Sequence, residues 1–337
     1  MCENKSKVAV SVLVITYNPK KEKLMQTLNS ILLQKGIKFE IVIADDGSDV
    51  DYFEEAEAVF KSKNFENYKL IKNKINQGTV KNIYFGLMSC RGELLKLISP
   101  GDFLCRANTL ENWVRYIKRE RADLSFGNII YYRKKKNRIE TIPYRASPQE
   151  VSVYHPNRKN RKKAIIERYL FLGDTIHGGA VLCKTEIWKK YISKAVNQVI
   201  YAEDCLYRLM VKEGINICYY EDDVLFYEYG TGISTARNDK WTALIKKDLL
   251  ITDNMILQVN RDCWFKKRFI CSITVRDHPG YFNKIKKYLL MPHLLFVMVN
   301  RKRHVRYTNV EIQGEYIWPY TKRQSGKIGG IAVELEE

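Results

Sequence analysis

The run Phe39-Glu40-Ile41-Val42-Ile43-Ala44 closes on Asp45-Asp46-Gly47-Ser48. An equally apolar run, Val8 to Ile15, precedes it and ends in Thr16-Tyr17-Asn18. Between them lies Glu22 to Lys35, where Leu24, Leu28, Ile31 and Leu32 recur at helical spacing. Strand, helix and strand in that order make a βαβ unit, so the strands are expected to be parallel neighbours. Ligands of such sheets bind beyond the carboxyl ends of the strands, where both polar clusters fall. Acidic side chains at that edge do not cradle a phosphate directly. They accept hydrogen bonds from a base or ribose, or hold a metal that carries the phosphate.

The alternation continues outward from this unit. Tyr68 to Lys74 reads as a third strand, Asn76-Gln77-Gly78 as a turn, and Thr79 to Ser89 as a helix with Val80, Ile83, Leu87 and Met88 on one face. Arg91-Gly92 breaks that helix, and Glu93 to Ile98 is a fourth strand ending in Ser99-Pro100-Gly101-Asp102. A helix over Asn108 to Arg119 and a strand over Ala122 to Tyr132 follow. The pattern predicts an α/β fold: a Rossmann-like, mostly parallel central sheet flanked by helices.

From Arg133 to Lys163 the composition shifts. Arg133, Lys134, Lys135, Lys136 and Arg138 form one basic cluster, and Arg158, Lys159, Arg161, Lys162 and Lys163 another. With few apolar residues between, the segment is expected to be an exposed hairpin and a mobile loop. Order returns at His177-Gly178-Gly179 and a short helix through Trp188. Glu203-Asp204 then opens a helix to Lys212, and Ile215 to Cys218 is a strand. The first section is expected to end near Thr235, giving a domain at 1–235 and a basic, mainly helical extension at 236–337 that starts with a helix over Trp241 to Val259.

Composition narrows the partners. The chain has 337 residues, 45% hydrophobic and 28% charged, which is ordinary for a protein with a real core. Its net charge of +19 is not ordinary and points to an anionic partner. Met1 to Lys7 is polar and no run of about 18 apolar residues follows, so neither a signal peptide nor a spanning helix is expected. Eight cysteines without a CxxC read as reduced thiols in the cytoplasm, and five histidines without HxxxH or HxH spacing argue against zinc. Residues 281–306 carry seven Lys or Arg and no acid around the apolar run 288–299. That run, flanked by Lys284, Lys286, Lys287, Arg301, Lys302 and Arg303, fits an element on an anionic membrane surface. It fits equally a helix packed on the first domain.

Seven motifs in order resemble the inverting family-2 glycosyltransferases of the GT-A fold, of the bacterial cell-surface polysaccharide kind. They are Val14-Ile15-Thr16-Tyr17-Asn18, Asp45-Asp46-Gly47-Ser48, Asn76-Gln77-Gly78 with Lys81-Asn82, Ser99-Pro100-Gly101-Asp102, His177-Gly178-Gly179, Tyr201-Ala202-Glu203-Asp204, and Tyr229 to Thr235. The resemblance implies transfer of a sugar, with inversion, from a UDP- or dTDP-sugar to a hydroxyl of a growing glycan. The acceptor it implies is lipid-linked, in capsule, O-antigen, exopolysaccharide or teichoic acid synthesis. Thr16, Tyr17, Asn18, Asp45, Asp46, Asn76, Gly78, Lys81 and Gly101 would then line the donor nucleotide, with Asp46 on the base or ribose. Lys81 stands where many relatives have an arginine, and offers a point charge without a bidentate fork. His177, Gly178, Gly179 and Tyr229 would line the acceptor.

Asp204, with Glu203 beside it, matches the catalytic base that takes the acceptor's proton. Relatives usually carry Asp-x-Asp after the fourth strand to hold Mn2+ or Mg2+. Ser99-Pro100-Gly101-Asp102 has one carboxylate, so Asp102 is the candidate metal ligand. Many relatives add a histidine after the last core strand; Glu228-Tyr229-Gly230-Thr231 has none.

Other classes are weighed against this. A nucleic-acid binder would account for the charge and the 22 tyrosines, but no recognition motif appears and no nucleic acid is expected. A nucleotidyltransferase would carry a Gly-rich basic signature after the first strand, where Thr16-Tyr17-Asn18-Pro19 stands. A non-catalytic nucleotide-sugar binder stays open, and a dinucleotide-binding domain lacks its GxGxxG. The expected place is the cytoplasm, peripheral to the inner face of the membrane.

Overall fold

In the computed structural model, residues 7–135, 138–142, 147–230, 239–299 and 333–334 are described. The opening βαβ unit is as expected. β1 (Val10–Thr16), α1 (Lys21–Leu32) and β2 (Phe39–Asp45) put the strands side by side and parallel, with Val14 opposite Ile43 and Thr16 opposite Asp45. Both strands are buried almost throughout, which is why they read as continuous apolar runs. Leu24, Leu28 and Ile31 form the buried face of α1.

β3 (Tyr68–Lys72), α3 (Thr79–Met88), β4 (Leu94–Ile98) and α4 (Thr109–Arg119) follow, with a short β5 (Phe103–Leu104) before α4. β3, β2, β1 and β4 are all parallel. One helix was not foreseen: α2 (Phe53–Ser62) buries only Ala56 and Phe60, too sparse a stripe to register.

β6 (Leu124–Lys135) turns back through β7 (Arg138–Thr141) as the expected hairpin. The side chains of the basic cluster from Lys134 onward lie outside the described residues. The following stretch is not a loose loop. It folds into a 3₁₀ turn at Val151–Tyr154, α5 (Arg161–Ile166) and a wider π turn at Glu167–Phe171. Val153, Tyr154, Ile165 and Tyr169 are buried there. Buried Arg168 pairs with buried Glu150 at 3.0 Å, and Arg161 bonds Asn216. Short irregular turns space their apolar residues without a fixed period, so the basic residues dominated the reading.

β8 (Val181–Lys184), α6 (Thr185–Ala195), α7 (Leu206–Glu213) and β9 (Ile217–Glu228) complete the sheet. β9 is much longer than the strand expected at its start. β8 is antiparallel to both β4 and β6, and β9 is parallel to β6. The ends of β1, β2, β4 and β9 therefore share one edge, and Glu228 arrives beside Asp102.

Four helices follow: α8 (Asp239–Val259), α9 (Cys263–Asp277), α10 (Tyr281–Leu290) and α11 (Pro292–Val299). Ile256, Phe269, Met291 and Leu294 from them are buried in the same apolar cluster as Leu13 and Leu97 of the sheet. A last strand, β10 (Val333–Glu334), pairs with β7. The described cysteines are free, and all but Cys263 are buried.

Candidate active site

At the end of β2 the two aspartates divide their work. Asp45 is fully buried. Its carboxylate accepts the Thr16 hydroxyl at 2.8 Å, the Ser48 hydroxyl at 2.5 Å and the Ser48 amide at 2.8 Å. Asn18 joins the same knot, its amide donating to Ser48 Oγ at 2.7 Å. Asp46, almost as buried, accepts the amides of Gln77 at 3.0 Å and Gly78 at 2.9 Å, and Asn73 Nδ2 at 3.0 Å. Asp46 thus clamps the Asn76-Gln77-Gly78 turn onto the end of β2. Tyr17 and Asn76 are exposed, and Lys81 is half-buried in the first turn of α3.

Gly78 has φ +93°, and a Cβ there would stand 2.5 Å from Ile200 Cγ2 and 2.8 Å from its carbonyl oxygen. Only glycine tolerates both conditions. This approach joins the turn to the loop just before the acid pair, and the Val80 amide donates to the Ile200 carbonyl at 2.9 Å.

At the end of β4, the Gly101 amide donates to Thr27 Oγ1 at 3.0 Å, and the Thr27 hydroxyl donates to the Asp102 carbonyl at 2.7 Å. Asp102 is buried, and its Oδ1 accepts the Glu228 amide at 3.1 Å. Burial pushes its carboxyl up to about 7, the Glu228 carboxylate adding to the rise while the Glu228 amide and the Lys96 ammonium oppose it. Lys96 is itself buried and pushed down to about 7 by burial. It donates to the carbonyls of Leu97 at 2.8 Å and Gly179 at 2.6 Å. The Lys23 ammonium, from the first turn of α1, is paired with Glu228 Oε2.

These donors do not fit the divalent ion expected at Asp102. Its carboxyl Oδ1 is already taken by the Glu228 backbone amide. The neighbouring carboxylate, Glu228, already holds an ammonium. Among the described residues no group of three or more His, Cys, Asp or Glu side chains converges as a metal site.

Glu203-Asp204 sits in a 3₁₀ turn, Glu203–Cys205, that leads into α7. Asp248 of α8 holds the approach to it. Its carboxylate accepts the amides of Ile200 at 3.1 Å, Tyr201 at 2.7 Å and Ala202 at 2.9 Å. Glu203 is half-buried and Asp204 open to solvent. Loss of solvation pushes the Glu203 carboxyl up to about 8, with repulsion from Asp204 adding. The same desolvation raises Asp204, against the pull of the Arg208 guanidinium; water at its exposed side tempers the shift.

A Cβ on Gly178 would lie 3.5 Å from Glu203 Oε1 and 3.7 Å from Asp204 Cβ, so Gly178 faces the acid pair with room for about a methyl group between them. His177 Nδ1 accepts the Gly179 amide at 3.1 Å, and its ring meets Tyr227 edge-on at 4.5 Å between centroids. Burial pushes its pKa down to about 4, helped by Lys96, so the imidazole is neutral. Tyr229 reaches the same group through Tyr131, at 6.2 Å between ring centroids. Thr231 to Thr235 of the last motif lie outside the described residues.

The expected site residues therefore form one band. Asp46, Gly78 and Ile200 lead from the end of β2 to the acid pair. Asp102, Lys96 and Gly179 lead there from the end of β4. Sequence reading missed Lys23, Glu228, Lys96 and Asp248. Glu228 stood in a quoted motif but was noted only for the absent histidine. Lys23 and Asp248 sit on helices, where a lone charge reads as solvated face. A separate cavity of about 340 Å³, lined by Tyr116, His155, Tyr219 and Tyr220 among others, lies at the start of β9 and contributes none of these residues.

A mixed sheet, parallel through β3, β2, β1 and β4 and with antiparallel pairings beyond, whose polar groups gather at its carboxyl edge, is the class of a GT-A glycosyltransferase. Residues 11–188, just over half of the chain, match glycosyl transferase family 2, and the chain belongs to that family. Members commonly use a divalent metal. No curated protein matches the sequence.

Among solved structures the fold is similar to TarS of S. aureus, at 16% identity and a TM-score of 0.53, covering 88% of this chain and 46% of that one. It is also similar to TarS 1-349 in complex with UDP, at 17% identity, TM-score 0.52, covering 81% and 73% of the two chains. For TarS 1-349 with UDP-GlcNAc the values are 16%, 0.53, and 86% and 81%. This chain thus spans less than half of the full TarS chain.

Proposed function

We propose that this glycosyltransferase moves a sugar from a UDP-sugar, or its dTDP counterpart, to a hydroxyl of a growing cell-surface glycan, with inversion. The facing of Gly178 to Glu203 and Asp204, joined on both sides to the strand ends, carries the reading. A donor lying along Thr16, Tyr17 and the Asn76–Gly78 turn would present its anomeric carbon toward the acid pair. The UDP and UDP-GlcNAc complexes of the similarly folded TarS support that choice of donor.

In the proposed step the acceptor oxygen attacks the anomeric carbon while its proton passes to Asp204. The bond from that carbon to the diphosphate breaks, and the nucleoside diphosphate leaves from the opposite face. One carboxylate base and one displacement give inversion, whereas retention by double displacement needs a nucleophile as well. Asp45 and Asn18 act here as supports that shape the loop, and Tyr17, Asp46 and Lys81 line the nucleotide. Burial raises the pKa of Asp204 above the ordinary aspartate range, which strengthens it as a proton acceptor once ionised.

We place residues 1–235 as the catalytic unit and 236–337 as an extension that docks it to the membrane holding a lipid-linked acceptor. Among the described residues no helix is long and apolar enough to cross a membrane. The observation favouring a surface role is on α10 and α11: Phe282 is 85% exposed, Leu289 78% and Phe296 71%, beside exposed Lys284 and Lys286. Lys287 is not part of that face, since it is buried and donates to the Phe171 carbonyl.

Incubation with a panel of nucleotide sugars and a lipid-linked glycan, followed by NMR of the product's anomeric centre, is the test. Retained configuration would reject the mechanism; hydrolysis or transfer from no donor would reject the activity.

A further inference from the structure

We propose that the Lys23 ammonium, held between Gly101 and Glu228, is the cation that binds the donor's diphosphate, so that nucleotide binding here needs no divalent ion. The inference rests on the nucleotide-sugar reading above.

A nucleoside diphosphate brings a concentrated negative charge to the strand ends, and its departure from the sugar leaves that charge uncompensated. Some cation must meet it. The end of β4 is where the chain opens a place for one. Gly101 has φ +100° and no side chain. A Cβ there would lie 2.6 Å from Glu228 Oε2 and 3.4 Å from Lys23 Cδ. The space beside the turn is therefore filled by the Lys23 stem and by the Glu228 carboxylate that holds its ammonium.

Lys23 is well placed for this. It projects from the first turn of α1, which starts just beyond the end of β1, so its stem crosses the strand-end edge. Glu228 takes one of its three N–H donors, which fixes the head and leaves others for phosphate oxygens. Lys96, the other cation nearby, is fully buried with its ammonium turned to the carbonyls of Leu97 and Gly179. It supports the backbone and is screened from a ligand. When the bond from the anomeric carbon to the diphosphate breaks, the electron pair stays on the departing oxygen and Lys23 balances part of it.

Titration of the full chain with UDP and with uridine, each in EDTA and in Mn2+, tests this. Wild type should bind UDP equally well in both media. Lys23→Met should weaken UDP by about tenfold or more, the loss expected for one charge-assisted hydrogen bond, and leave uridine binding unchanged. Lys23→Arg should recover most of the UDP affinity. Retained uridine binding shows that the variant is folded. Wild-type UDP binding that appears only with Mn2+, or a Lys23→Met protein that binds UDP normally, would overturn the inference alone. Wild type that binds neither UDP nor uridine would instead remove the donor reading on which it rests.

Discussion

Two aspartates and a turn illustrate how much a single residue type can hide. Asp45 and Asp46 looked alike in sequence as lining for the donor nucleotide, while Asp204 was read as the catalytic base. Asp45 is wholly committed to Thr16 and Ser48, and Asp46 to two backbone amides. Asp46→Ala would leave the Gln77 amide without its acceptor, at about 1–3 kcal/mol if it stays dry, and the Gly78 amide with Asn76 Oδ1 alone. We expect a melting temperature lower by several degrees, together with a raised donor KM; an unchanged melting curve would mean the clamp is dispensable. Asp204 differs in being open to solvent. Asp204→Asn should cut kcat by about 100-fold or more with UDP affinity intact, as loss of a general base requires. Because the base form is the deprotonated one and burial raises its pKa, kcat of wild type should fall on the acid side, with a limb lying above the ordinary aspartate range. Glu203, pushed up to about 8 by burial and by ionised Asp204, is already neutral where Asp204 titrates, so Glu203→Gln should leave the acid limb in place. A dead Glu203→Gln beside an active Asp204→Asn would move the base to Glu203.

At the level of elements, α8 ties the extension to the site. Asp248 gathers three consecutive amides, Ile200 to Ala202, directly ahead of the acid pair. Asp248→Ala should therefore lower kcat at least tenfold while donor affinity changes little, since an incorrectly placed base loses catalysis but not nucleotide contacts. Equal losses in kcat and in UDP affinity would point to general unfolding of the edge instead. Elements also show what a sequence carries. β1, β2 and β4 were legible as continuous apolar runs because both their faces are buried, and α1 and α3 because buried stripes repeat at helical spacing. The 3₁₀, α and π turns over 151–171 were not, because their buried tyrosines and aliphatics have no period. The acid pair and glycine pair were found through motif order; their facing each other was not, because it depends on how β8 and α7 meet. The surroundings of the expected metal ligand were not legible for a similar reason: Glu228, Lys96 and Lys23 converge on Asp102 from elements far apart in the chain.

Across the whole molecule, charge and apolar surface collect at opposite ends of one argument about place. The net charge of +19 draws the protein to anionic surfaces, and the exposed rings of α10 and α11 offer something to insert. Each Lys or Arg near such a surface contributes on the order of 1 kcal/mol, and salt screens it. Full-length protein should sediment with vesicles containing anionic lipid and release in high salt, while Phe282→Ser with Phe296→Ser should lower the bound fraction at fixed lipid. Equal recovery with neutral and anionic vesicles would reject the surface role.

The cramped turn at Gly101 also bears on ancestry. An aspartate introduced there would set its Cβ 2.6 Å from Glu228 Oε2, in a backbone conformation that resists any side chain. Losing Lys23 alone would take from Glu228 its ammonium partner. The three positions therefore constrain one another: a side chain at 101 displaces the pair at 23 and 228, and a change at 23 alters what 228 must pair with. Lineages that share this trio should keep it together or exchange it together, so the three positions form a heritable signature by which such enzymes can be sorted.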